Sequence, residues 1–150
     1  LVVVLLLSWL GWRATAQAAA QQSVSSVNTH AHSTGPLGMP AITPHPGVAS
    51  ISGPTFSASD AIAYVTSHGL IHALSLTKVA VVRVQFMTSK QVSDRLQGEY
   101  IGLPNNALVC YVVLQGKFVF PSGATDDTYS QAVEVFDAHT GNLILDGGLL

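Results

Sequence analysis

The run Ala132-Val-Glu-Val-Phe136 is followed by Asp137-Ala-His-Thr-Gly141 and then by Asn142-Leu-Ile-Leu145, an order that commits this part of the chain to a hairpin. Asp137 is placed to accept hydrogen bonds from N–H groups two or three residues on, and Gly141 to take the positive φ that closes such a turn. Apolar alternation on both sides supplies the two strands. Asp137, His139 and Thr140 could pass for a polar site, with His139 as its base. Between two strands, with Gly141 at the exit, they are better explained as turn chemistry.

The rest of the ordered pattern lies upstream. Ser57-Ala-Ser-Asp60 places a hydroxyl three residues before a carboxylate, an approximate capping box with Asp in place of Glu or Gln. Ala61, Ile62 and Val65 follow at helical spacing, and Gly69 is placed to end the helix in the left-handed conformation. From Lys78 to Met87 the chain alternates. Ala80, Val82, Val84 and Phe86 are expected on one face, with Val79, Val81, Arg83 and Gln85 on the other. Ser89 is expected to cap a short helix carrying Val92 and Leu96, stopped at Gly98. Leu103-Pro-Asn-Asn106 reads as a turn, Ala107 to Phe120 as a long strand bent at Gly116, and Pro121 to Asp127 as a loop. Tyr129 to Phe136 and Asn142 to Asp146 form the closing hairpin.

One helix leading into sequential strands joined by short links predicts an α+β layer. An N-terminal helix packs on an antiparallel sheet of about four strands, with a short helix inserted between the first two. The strand around Cys110 is apolar on both faces, so either the helix at 89–98 or a partner must cover the second one.

Ahead of this unit, residues 21–56 contain no Lys, Arg, Asp or Glu and hold Pro36, Pro40, Pro44, Pro46 and Pro54, five of the seven prolines. With few periodic apolar residues, they read as a flexible linker. Leu1 to Leu10 is strongly apolar, and Ala14 to Ala20 is rich in small residues, the order of a secretory signal cleaved after Ala20 or Ala16. The alternative is an uncleaved anchor extended upstream, since a span needs ~20 apolar residues. Three segments result: 1–20 as signal peptide or anchor, 21–56 as linker and 57–150 as the folded domain. Either way the expected location is secreted or extracytoplasmic, in the cell envelope, with membrane contact only through the N-terminal segment.

Composition then limits the chemistry. Charged residues make up 9% and the net charge is −2, so there is no basic surface to hold nucleic acid. Cys110 is the only cysteine and sits among strand-forming residues, which reads as buried and inert. Six histidines raise a metal hypothesis. His68 and His72 stand four apart, but Gly69 interrupts their helix, and His30 and His32 lie in the linker. These do not assemble the three or four ligands of a stable zinc site. Asp126 with Asp127, and Asp137 with Asp146, read as turn or solvated carboxylates, because nothing in the sequence places one carboxylate in an apolar pocket opposite another. Gly-x-Ser-x-Gly and glycine-rich phosphate loops are absent. No catalytic, cofactor-binding or metal residue is assigned.

The pattern from about 57 to 148 resembles the PepSY domain family, known from propeptides of thermolysin-like metallopeptidases and from exported bacterial proteins. Its carriers are Asp60-Ala-Ile-Ala-Tyr-Val65, Val79-Ala-Val-Val-Arg-Val84, Val109-Cys-Tyr-Val-Val-Leu-Gln-Gly116 and, most specifically, Val135-Phe-Asp-Ala-His-Thr-Gly141. Thr88 to Asn106 is a longer excursion than a minimal unit of that family has. The resemblance implies a helix on an antiparallel sheet and a non-catalytic module that binds or restrains a peptidase or envelope component in trans. It supplies no catalytic residue. The alternatives are a small histidine-dependent metal-binding protein or hydrolase, and a purely structural envelope module.

Overall fold

The computed structural model describes residues 29–30, 40–45, 53–121 and 126–149. The signal or anchor segment 1–20 lies outside the described residues, as does much of the linker. No helix among the described residues is long and apolar enough to cross a membrane.

Helix α1, Ala58–His68, begins where the capping pattern places it. The Ser57 hydroxyl accepts from the Asp60 N–H at 3.2 Å, and the Asp60 carboxylate accepts from the Ser57 N–H at 2.7 Å. With the Ser57 hydroxyl also donating to it, then the Ser57 N–H, then His45, the Asp60 carboxyl is lowered to about 2. Gly69 ends the helix at φ 66°, as its position predicts, but its ψ of −166° sends the chain out extended instead of into a left-handed helical turn. Only glycine reaches that region readily.

The strands are β1 (Thr29–His30), β2 (Leu74–Ser75), β3 (Ala80–Thr88), β4 (Leu108–Pro121), β5 (Asp126–Asp137) and β6 (Leu143–Leu149), and α2 (Ser89–Arg95) joins β3 to β4. All pairings are antiparallel. The order runs β1-β6-β5-β4, and β2 and β3 share the other side of β4. The result is the α+β fold with an antiparallel sheet that the element pattern predicts. Gly116 lies where the β4–β5 register shifts, between Gln115 and Phe118, so the expected bend is a bulge.

Each face of the sheet has its own core. Ala61 and Val65 of α1 pack with Cys110, Val112, Leu114, Phe118 and Phe136. Val92 of α2 and Leu96 at its C-cap pack with Val109, Tyr111, Val113, Val133, Val135 and Leu145. The short helix therefore covers the second apolar face of β4.

Four local expectations change. Pro121 ends β4 and Asp126 and Asp127 open β5, so these three residues, expected in a loop, lie in paired strands. The N-cap of α2 is Thr88, not Ser89: the Thr88 hydroxyl accepts from the Gln91 N–H at 3.2 Å, and the Gln91 side chain accepts from the Thr88 N–H at 2.9 Å. A box needs Glu or Gln three residues after the cap, which Thr88 has and Ser89, followed by Val92, lacks. In β3 an irregularity between Val81 and Arg83 inserts Val82 as an extra residue. One extra residue inverts the alternation, so Val79, Val81, Val84 and Phe86 pack toward α1 and Val82 is 49% exposed. Finally, residues 29–30, 40–45 and 53–56, placed in the linker by composition, belong to the fold, the first pair as β1 beside β6. Ile42 and Phe56 are buried. The Ile42 N–H donates to the Gly141 carbonyl at 3.0 Å, and the Thr55 N–H to that of Ala138 at 2.8 Å. Isolated apolar residues show no period, but proline-restricted backbone has less entropy to lose on docking.

Candidate functional site

The closing turn is built as its sequence predicts. One Asp137 carboxylate oxygen accepts from the N–H groups of His139 at 2.8 Å and Thr140 at 3.2 Å, and the Gly141 N–H returns to the Asp137 carbonyl at 2.9 Å. Gly141 has φ 72°. A Cβ there would overlap the Ile42 carbonyl oxygen, so the glycine also admits the docked segment. The Thr55 hydroxyl donates to the Ala138 and His139 carbonyls at 3.2 and 2.9 Å. His139 is itself exposed, and its backbone makes these contacts.

The paired histidines part company. The His68 ring stacks on Tyr64 at 4.5 Å between centroids, and its Nδ1 lies 3.1 Å from the Tyr64 carbonyl. His72, in the loop after α1, points Nδ1 at both Asp146 carboxylate oxygens, each 2.9 Å away. Among the described residues no group of three or more His, Cys, Asp or Glu side chains could hold a metal ion. His30 lies in β1, whereas His32 is outside the described residues.

Asp146 leads to what sequence reasoning missed. Glu134 stands opposite it across the β5–β6 ladder, on the α1 side of the sheet, with 0% exposure. Neither Glu134 carboxyl oxygen has a hydrogen-bond partner among the described residues. Burial first, and the Asp146 charge second, push its carboxyl up to about 8. The expectation that no carboxylate would sit in an apolar pocket opposite another is therefore corrected. One signal was available: Ala132, Glu134 and Phe136 share a face of an alternating strand, and that face is the core. Burial also raises the Tyr64 phenol, with Glu134 and Asp146 adding to it.

A buried carboxyl raised in this way beside a second one is an arrangement that acid–base catalysis uses. A general acid must also come within hydrogen-bond reach of the group it protonates, and Glu134 has no exposed surface. Its effect falls on stability. Cys110 is sealed in the same way, its thiol pushed up to about 12 by burial.

Among the described residues no strand covers the outer edge of β3, whereas the core is closed. Among the described residues β3 pairs only with β4, so alternate N–H and C=O groups along its nine residues point away from the sheet. Leu74 and Leu76 lie exposed on the same side of β4, at 64% and 56%. No protein-family model, curated protein or solved structure matches the chain.

Proposed function

We propose that this chain is an exported, non-catalytic binding module of PepSY-like type, which restrains a peptidase or engages a cell-envelope protein in trans. It receives an extended segment of that partner along β3. The open β3 edge carries the proposal: main-chain groups there can pair with an added strand, the mode by which sheet edges bind peptides. The Val82 bulge protects the edge against indiscriminate pairing with further copies, since a bulged strand twists away from a flat partner. The helix-on-sheet architecture and the Asp137–Gly141 turn agree with the resemblance.

A photoreactive residue in place of Gln85 tests the proposal in the producing cell. Crosslinking to one envelope or secreted protein is expected from that position and not from the same residue in place of Thr140, on the closing turn. Equal yields from both positions, or none from β3, would count against strand addition.

A further inference from the structure

We infer that the outer edge of β3 selects an extended segment bearing acidic side chains at alternate positions, read by Arg83 and Arg95 near Tyr111. This rests on the strand-addition reading and adds the chemistry of the partner. The charges are partly sorted along the chain: the five Lys and Arg after Arg13 fall between Lys78 and Lys117, together with the acids Asp94 and Glu99, and the other five acids after Asp60 fall between Asp126 and Asp146. In the fold, Lys78 precedes β3, Arg83 lies in it, Lys90 and Arg95 lie on α2, and the Lys117 carbonyl accepts from the Leu76 N–H beside it. The acids beyond Glu99 lie on β5, β6 and at the turn between them.

Two of these cations face the same ring. Arg83 stands opposite Val113 and Gln85 opposite Tyr111 in the ladder, so both project toward the α2 side. The Arg95 guanidinium carbon lies 5.9 Å from the Tyr111 ring centroid, and burial raises the Tyr111 phenol while the Arg95 and Arg83 charges oppose that shift. Within this stretch Asp94 is bound to Lys90 at 2.8 Å. Neither Arg83 nor Arg95 has a carboxylate partner among the described residues. A cleft of about 410 Å³ runs from Val82 and Arg83 of β3 over Tyr111 and Val113 to Gln131 and Leu149, and Gln85, Gln91 and Arg95 line another with Asp94. Alternate side chains of an added strand fall on one face roughly 6.8 Å apart. Carboxylates at that spacing meet guanidinium groups with the planar fork that matches them.

The test uses the full chain with two capped heptapeptides, one alternating Glu with Val and one alternating Lys with Val. The Glu peptide is expected to bind, to protect outward β3 amides from hydrogen exchange and to shift the Tyr111 ring resonances. The Lys peptide is expected to do none of these. Methylating alternate peptide nitrogens should abolish binding, because the main chain supplies the pairing. Arg83→Glu with Arg95→Glu should weaken the Glu peptide by roughly tenfold or more and admit the Lys peptide. Both sites are exposed, and Arg83→Gln with Arg95→Gln provides a milder pair if the reversal disturbs folding. If both peptides protect β3 equally and charge reversal changes neither, the acidic preference is overturned while strand addition stands. If neither peptide protects β3, or its outward amides are already protected in the free chain, strand addition falls and takes this inference with it.

Discussion

Glu134 holds its proton in the folded chain up to about 8, whereas an ordinary Glu loses it near 4.5. Between those values the folded state binds one proton more than the unfolded state. Stability is therefore fully present below about 4.5, falls as pH rises, and levels off above about 8. The full loss is on the order of 3–5 kcal/mol at 1.36 kcal/mol per unit. Asp60 acts with the opposite sign: its contribution holds above 3.8 and is lost as pH falls through about 2. Stability should peak between these windows. Glu134→Leu should flatten the urea midpoint between pH 5 and 8 and raise it at pH 8, because an unpaired buried carboxyl gives way to an apolar side chain of similar size. An unchanged slope in that variant would assign the pH dependence to another group. Glycine at 141 is required twice over, by its positive φ and by the Ile42 carbonyl against it. Gly141→Ala should cost more than ~1 kcal/mol by chemical denaturation, and His139→Ala should stay within about 0.5 kcal/mol. The contrast also explains what was legible. Asp137 and Gly141 act within five residues of chain, so their roles could be read from the sequence. Glu134 depends on hairpin register and on α1 lying over it, which no local pattern records.

Among the elements, α2 shows how much one cap decides. Thr88→Ala removes the acceptor for the Gln91 N–H and should cost ~1 kcal/mol. Ser89→Ala loses only a long 3.4 Å bond to the Leu103 carbonyl and should cost less, so a thermal melt that ranks the two the other way would restore Ser89 as the cap. Helices and strands were legible because their periods differ. Residue placement within β3 was not, since the Val82 insertion reverses the parity on which the alternation argument relied. The docked residues 40–45 and 53–56 escaped for another reason. Their hydrogen bonds run to Ala138, His139 and Gly141, roughly a hundred residues or fewer away in sequence and adjacent only after the hairpin has formed.

For the whole molecule, the two cores share β4 and β5, so neither face can open without exposing strands that the other needs. Cys110, fully buried beneath α1, reports on this coupling. Its alkylation by iodoacetamide should be undetectable under native conditions and should rise with urea on the same slope as global unfolding. A shallower dependence would reveal local opening of the α1 face. The sheet also has a direction. Residues 29–30 join it at β6, and residues 40–45 meet it at the β5–β6 turn, whereas β3 lies on the far side of β4 and β5. Four strand spacings, roughly 19 Å, separate β1 from β3. A pull on Thr29–His30 would therefore load β6 first, and under the proposed strand addition a segment on β3 would sit at the margin farthest from that load.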